Sequence, residues 1–326
     1  MAKVSIIVPV YNTSRYLKRS MDALTGQTIQ DIEIIVINDG STDDSVDIVN
    51  EYVARYPDKI RLISKENGGQ GTARNIGIKE ATGEYIGFAD SDDCVDTAMF
   101  EAMYNVAVRE DADLVECSFH YVYEHEDGSR DELKPRGVVG QHHDNRDMFL
   151  NPQVSPWNKL YKASILKDND ITFPEGLIYE DTSFYIKSIP YLHKTSYIDE
   201  KYVYYFLRGQ STMNSNKGKR VADIFRVIDD MVTFYKAKGF YDEYKEELEY
   251  FCSKILLCSS LSRIGRINDR KLRNELLDKT CEYIKSNFPQ YLENRYYGGK
   301  VGMYVKTVRR WNMGLYAPVL GRVMKG

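Results

Sequence analysis

Hydrophobic positions fall in short continuous runs over the first hundred residues: "KVSIIV" (3–8), "IEIIVI" (32–37), "IRLIS" (60–64) and "YIGFA" (85–89). Each run is rich in β-branched or aromatic residues and short, so each predicts a strand. Between them lie segments with helical signals, beginning near Ser14, Asp43 and Thr72. Strands alternating with helices predict parallel βαβ units. Because the runs show little polar alternation, the strands are expected to be covered on both faces. Right-handed crossovers then give a doubly wound α/β sheet whose ligands collect beyond the carboxyl ends of the strands.

The residues at those carboxyl ends are polar, acidic or glycine-rich: "PVYN" (9–12), "NDGSTDD" (38–44), "KENGGQGTARN" (65–75) and "DSDD" (90–93). One sheet edge thus gathers an aromatic ring, carboxylates, a glycine loop and an arginine, the set a nucleoside diphosphate with its metal requires. Carboxylates crowded as in Asp90, Asp92, Asp93 and Asp96 repel one another unless something positive lies between them. Helix N-termini and a bound cation are the two candidates. Capping accounts for part of the acidity if Ser41, Asp43 and Asp96 are first-turn residues. Alternation along an extended segment would put the Asp90 and Asp92 carboxylates on the same side. The glycine loop is not a dinucleotide fingerprint, since Arg74 stands where its third glycine would fall, and no P-loop is present.

Composition narrows the class. The chain has 326 residues, 43% hydrophobic and 28% charged, with a net charge of −4, which suits a soluble globular protein and gives no reason to expect nucleic-acid binding. Cys94, Cys117, Cys252, Cys258 and Cys281 are odd in number and lack metal-ligand pairing, so free thiols in a reducing compartment are expected. His142 and His143 show no metal-ligand spacing and receive no role. No apolar stretch approaches the ~20 residues that span a bilayer, and "MAKVSIIVPV" runs straight into a strand, so a cytoplasmic protein is expected.

The order "VSIIVPVYN … VINDGSTDDS … ENGGQGTARNIGI … GEYIGFADSDD" closely resembles the nucleotide-sugar-binding half of glycosyltransferase family 2, inverting enzymes with a GT-A fold. The resemblance is strong over residues 3–110. It continues through "PWNKLYK" (156–162), "FPEGLIYEDTSF" (173–184) and "RGQST" (208–212), similar to acceptor-side elements of bacterial members that make cell-surface polysaccharides. It implies a nucleotide-sugar-binding half (1–110), an acceptor-binding half (111–218) and a C-terminal helical region (219–326). The activity implied is transfer of a hexosyl or N-acetylhexosaminyl group from a UDP-sugar to a glycan acceptor, lipid-linked in the simplest case, with Mn²⁺ or Mg²⁺ as cofactor. A non-catalytic nucleotide-sugar-binding partner of another transferase is the alternative.

Residue by residue, the resemblance gives the following expectations. Tyr11 stacks on the base, with Asn12 beside it and Pro9 and Val10 shaping the turn. Asp39 accepts the uracil N–H, although Asp39-Gly40 also reads as a tight turn. Asn67 and the glycines Gly68, Gly69 and Gly71 admit a close backbone approach, and Arg74 pairs with phosphate. Within Asp90-Ser91-Asp92, Asp92 binds the metal directly and Asp90 contacts the ribose or a metal-bound water. Asp181 is the base that takes the proton of the incoming hydroxyl, and Glu180 is an acceptor-binding neighbour or the alternative base; simple capping by Asp181 is the bland reading. Trp157, Asn158 and Lys159 border the acceptor or the donor sugar, with a core tryptophan as the alternative. Arg208, Gly209, Gln210 and Ser211 resemble a loop that closes over the diphosphate.

The last hundred residues read as packed helices. After Glu293 there is no acid, but Arg295, Lys300, Lys306, Arg309, Arg310, Arg322 and Lys325 follow. Val301, Tyr304, Val305, Val308, Trp311 and Leu315 recur at helical spacing, while Gly298, Gly299, Gly302 and Gly314 weaken the helix. A peripheral contact with an anionic membrane on its inner face, docking on the body and contact with a partner subunit all fit this segment.

Overall fold

The structure, a computed structural model, describes residues 2–125, 129–133, 140, 142–207 and 218–323. The four apolar runs form strands β1 (Val4–Val10), β2 (Ile32–Asn38), β3 (Ile60–Ser64) and β4 (Tyr85–Phe88), parallel and in the order β3-β2-β1-β4. Helices α1 (Ser14–Thr25), α2 (Ser45–Arg55), α3 (Gln70–Glu80) and α4 (Met99–Glu110) connect them or follow them. Buried residues of α1, α2 and α4 share one core with Val4, Ile6, Val8 and Val10 of β1. On the opposite face α3 approaches so closely that a Cβ at Gly77 would stand 2.3 Å from Ile7 Cγ2. Covered from both sides, β1 is buried along its whole length, as its unbroken apolar run requires.

Pro9 and Val10 do not shape the turn, as the sequence suggests; both lie inside β1, opposite Ile37 and Asn38. The chain turns only at Asn12, whose φ is +51°. Pro9 stands one residue before the end of β1, so its missing N–H gives up only the last ladder bond towards β4, after the one from the Ala89 N–H to the Ile7 carbonyl.

The sheet continues beyond the parallel quartet. Strands β5 (Cys94–Val95), β6 (Leu114–Glu124), β7 (Arg130–Leu133), β8 (Lys159–Lys162) and β9 (Thr195–Leu207) extend the order to β4-β8-β6-β9-β5, with β7 on β6. β8 runs antiparallel to both β4 and β6, whereas β9 is parallel to β6. The sheet is therefore mixed, and one continuous sheet takes strands from both sides of residue 110. Two short helices complete this region, α5 (Ala163–Asp168) and α6 (Glu180–Ser188). One compact unit comprises residues 1–145, 153–176 and 180–208.

A second unit comprises residues 146–152, 177–179 and 209–326. It contains α7 (Asp223–Ala237), α8 (Lys245–Ile255), α9 (Leu261–Ile264), α10 (Arg270–Asn287), α11 (Gly299–Thr307) and α12 (Arg310–Val323). The single apolar stripe expected after Glu293 does not exist, because the helix breaks at Val308 and Arg309. Val305 and Val308 are buried, and Tyr304 donates its hydroxyl to the Leu257 carbonyl at 2.8 Å, while Trp311 and Leu315 are exposed. Part of the tail is thus docked within its own unit. No helix among the described residues is long and apolar enough to cross a membrane. All five cysteines are free.

Candidate active site

The loops after β1 and β2 are zipped together by short polar side chains. Asn12 accepts the Thr42 N–H at 2.8 Å and donates its own to Ser41 Oγ at 3.1 Å; Asp43 Oδ2 accepts the Ser14 N–H at 3.0 Å. Tyr11, carried just ahead of this zip, is half exposed and presents a free ring face beyond the end of β1.

Asp39, at the end of β2, is buried and heavily engaged. Lys65 Nζ lies 2.5 Å from Oδ1, which also accepts the Gly68 N–H at 2.9 Å, and Oδ2 accepts the Gly69 N–H at 2.8 Å. Asn67 Nδ2 donates to the Asp39 carbonyl at 3.0 Å. The glycine loop accordingly wraps a carboxylate, and the amides of Gly68 and Gly69 are spent on it. Gly71 serves a different approach from the one expected: a Cβ there would lie 3.2 Å from Glu180 Cγ, Phe173 Cβ and the Pro174 carbonyl, so the missing side chain lets α3 close on the segment leading to α6.

Arg74 also departs from its expected role. It lies on the inner side of α3, 2% exposed, and donates from one terminal nitrogen to Asp90 Oδ1 at 2.8 Å and from the other to Glu180 Oε1 at 3.1 Å. A guanidinium with both terminal nitrogens held by carboxylates in the interior is not placed to grip a phosphate. It is the internal counter-charge of two acids instead. Burial works against its charge, but Asp90 and Glu180 more than compensate and raise its pKa.

The acidic segment after β4 is a turn and not an extended strand, since the Asp93 N–H bonds the Asp90 carbonyl at 3.1 Å. The turn gathers three carboxylates: oxygens of Asp90, Asp92 and Asp93 all lie within 4.8 Å of one another. Ser91 is buried and receives the Thr13 hydroxyl at 3.1 Å, and Gln70 Nε2 reaches Asp90 Oδ1 at 3.1 Å. Burial lifts the Asp90 carboxyl above its usual range; Arg74 opposes this and Asp92 adds to it. Three carboxylates with oxygens this close are the donor chemistry a hard divalent cation satisfies, so the residues fit such an ion.

Sequence reasoning missed the residue that fixes this turn. Arg19, on α1, donates to the Asp92 carbonyl at 3.2 Å and to Glu124 Oε1 at 2.9 Å, and its guanidinium lies 3.7 Å from the Phe206 ring centre. Phe206 in turn gives its N–H to Asp93 Oδ1 at 2.9 Å. Nothing in a lone arginine on a helix signals this, because its partners come from the turn after β4, from β6 and from β9.

Glu180 and Asp181 open α6. Burial, then the neighbouring charge of Asp181, lifts Glu180 to about 7, against the pull of Arg74. Asp181 Oδ1 accepts the Thr182 N–H at 2.8 Å, so it supports the first turn of the helix, and Oδ2 has no partner among the described residues. Asp181 is near enough for its charge to act on Asp90, Glu180 and Arg74.

Lys159 and Trp157 are buried, not presented at a surface as a role in bordering a sugar would require. Lys159 is wholly buried, with Nζ 3.0 Å from Glu116 Oε1, 2.5 Å from the Gln153 carbonyl and 2.9 Å from the Ser155 carbonyl. His142 completes the pair from the other Glu116 oxygen at 3.1 Å. Asn158 is likewise buried and donates to the Cys117 carbonyl. Trp157 is 5% exposed and stacks on Tyr205 at 5.3 Å, the core tryptophan of the alternative reading. Arg208 and Ser211 lie outside the described residues.

A mixed sheet opening with a parallel quartet, with an acidic turn after its fourth strand and an acid pair on α6, has the architecture of the GT-A fold. Residues 5–169 match Glycosyl transferase family 2. The chain is 32% identical over 261 residues to the glycosyltransferase EpsJ of Bacillus subtilis (strain 168), covering 76% of this chain and 74% of that one. It is 29% identical over 243 residues to TarS of Staphylococcus aureus (strain Mu50 / ATCC 700699), named a poly(ribitol-phosphate) beta-N-acetylglucosaminyltransferase, covering 70% and 39%. The crystal structure of S. aureus TarS 1-349 with UDP-GlcNAc superposes with a TM-score of 0.74 at 21% identity, over 98% of this chain and 92% of that one. The mannosyltransferase PcManGT from Pyrobaculum calidifontis, in complex with GDP-Man and Mn²⁺, gives 0.52 at 15% identity, over 96% and 87%. This chain belongs to glycosyltransferase family 2.

Proposed function

We propose that the protein is an inverting, divalent-metal-dependent transferase that moves a hexosyl or N-acetylhexosaminyl group from a UDP-sugar to a hydroxyl of a cell-surface glycan. The observation that carries this reading is the gathering of Asp90, Asp92 and Asp93 at one strand end, with the acid pair of α6 tied to them through Arg74. TarS, a beta-N-acetylglucosaminyltransferase of poly(ribitol-phosphate) whose structure holds UDP-GlcNAc, supports a UDP-sugar donor and a cell-surface polymer as acceptor. The Mn²⁺ of PcManGT supports the metal.

In this reading the half-exposed Tyr11 ring stacks on uracil, and the remaining lone pair of Asp39 Oδ2 takes the uracil N–H, with Lys65 and the Gly68 and Gly69 amides holding that carboxylate still. Asn12 and Asn67 fix the two loops that frame the base. Asp92 and Asp90, with Asp93, hold the cation, which when bound supplies counter-charge to the departing diphosphate. Asp181 accepts the proton of the acceptor hydroxyl on Oδ2 as the hydroxyl oxygen bonds to the anomeric carbon and the bond to UDP breaks. Glu180, gripped by Arg74, positions the acid pair.

The test is UDP release on incubation with a panel of UDP-sugars, Mn²⁺ and a glycan acceptor, in wild type and Asp181→Asn. Turnover should fall about 10²–10⁴-fold, the worth of general-base assistance, while calorimetric UDP affinity stays unchanged. Near-full turnover in the variant would move the base elsewhere. No release from any donor by the wild type would favour a non-catalytic sugar-nucleotide-binding subunit.

A further inference from the structure

Helix α12 is apolar on two opposite faces, and only one of them is used. Met313 and Ala317 are buried in the helical unit, where the Ala317 carbonyl lies against Gly265 so tightly that a Cβ on that glycine would stand 2.0 Å away. Facing away from them, Trp311 is 78% exposed, Leu315 69% and Val319 57%. Spacing of four residues aligns the three side chains in one stripe. Met303 on α11, 65% exposed, is a further apolar side chain left in water. A Trp-Leu-Val row left in water is not what a solvated surface needs, and contiguous apolar patches of this kind mark a contact.

The charges identify the contact. Arg295 is paired with Glu246 and Glu247, and Arg310 with Asp278. Lys300, Lys306 and Arg309 are exposed and have no carboxylate partner among the described residues. Arg309 donates to the Lys306 and Val308 carbonyls, which holds its positive charge at the joint between α11 and α12, two residues before Trp311. With no acid after Glu293, nothing in this stretch offsets these cations. A second copy of the chain would bring like charges together, whereas an anionic lipid surface offers both an apolar phase and counter-charge.

We propose that the outer face of α12 seats in the headgroup layer of an anionic bilayer, with Trp311, Leu315 and Val319 reaching the acyl boundary and Lys300, Lys306 and Arg309 on the headgroup anions. An indole is well suited to this depth, being apolar in body with one polar N–H. The seat is independent of the sugar-transfer reading and stands or falls without turnover.

The molecule carries its own probe. Trp157 is buried and Trp311 exposed, so the water-exposed part of the tryptophan emission belongs to Trp311. With vesicles of phosphatidylglycerol and phosphatidylcholine at low salt, the full chain should co-sediment and its emission should shift to the blue. Both effects should reverse near ~1 M salt, where the screening length falls to about 3 Å. Pure phosphatidylcholine should bind much less. The variant Lys300→Gln, Lys306→Gln, Arg309→Gln should weaken binding on the order of a hundredfold, at about fivefold per charge. Leu315→Ser with Val319→Ser should remove the blue shift while Trp311 remains to report it, with ellipticity and UDP affinity showing that the fold is kept. Emission unmoved by anionic vesicles at low salt would overturn the proposal. So would a dimer in sedimentation whose Trp311 emission is already blue without lipid, which would show that a second copy covers the stripe.

Discussion

Asp43 serves two helices with one carboxylate. It accepts the Ser45 N–H at the start of α2 and the Ser14 N–H at the start of α1; burial pushes its pKa up, but these hydrogen bonds outweigh it and bring it to about 2. A carboxyl lowered in the folded state stabilises that state above its unfolded pKa of 3.8, and the contribution fades as pH falls towards about 2. Asp43→Asn keeps only one acceptor oxygen for these two donors, so it should cost about 1 kcal/mol in urea unfolding at neutral pH, the net worth of a hydrogen bond, with the gap to wild type closing at strongly acid pH. A gap independent of pH would mean that the lost packing, not the charge, matters. Capping by Asp43 was legible from its place before an apolar periodic run. Its second bond, to Ser14, was not, since it depends on β1 and β2 lying side by side. Arg74 illustrates the converse: Gly71, Arg74 and Ile78 are all buried on α3 at helical spacing, and that period, weighed against the glycine loop's suggestion of phosphate, was the signal that the arginine turns inward.

The acidic turn after β4 is an element whose shape is held from outside. Its composition is plain in the sequence, but strand alternation does not govern it, because the Asp93 N–H closes a turn on the Asp90 carbonyl. The Asp92 carbonyl is held by Arg19 and the Asp93 carboxylate by the Phe206 N–H, while the Arg19 guanidinium lies on the Phe206 ring. Groups that orient metal ligands from behind typically carry 10–100-fold of metal affinity. Arg19→Ala should thus weaken Mn²⁺ binding in the presence of UDP by at least about tenfold, measured by the loss of the free-ion paramagnetic resonance signal on titration. Arg19→Lys should fall between the two, since an ammonium can still donate to the carbonyl but lacks the planar stack on Phe206. Unchanged Mn²⁺ affinity in a folded Arg19→Ala protein would reduce the arginine to a packing role.

At the scale of the whole molecule, the first four strands and three helices were legible because local apolar period and burial on both sheet faces agree there. The rest of the sheet was not. β5 has two residues, β7 is fully exposed, and the long partner strands β6 and β9 match one another over a bulge that no period announces. In the helical unit the period was misleading, since it joined Val305 and Val308, which are buried, to Trp311 and Leu315, which are not. What decides the course of α12 is a contact between backbones: the Ala317 carbonyl rests on Gly265, and Pro318 nitrogen would be 2.9 Å from a Cβ there. Gly265 ends α9 with φ −62°, a conformation alanine adopts freely, so helix propensity alone would favour Gly265→Ala by up to about 1 kcal/mol. Sterics predict the opposite sign. An overlap with a carbonyl carbon and oxygen cannot be relieved by rotating a side chain, so α12 must shift, and overpacking of this kind costs about 1–3 kcal/mol. Gly265→Ala should lower the urea midpoint followed by helical ellipticity, with the emission of buried Trp157 recording the sheet unit in the same titration. A variant as stable as wild type, or more so, would show that α12 is not docked through this contact.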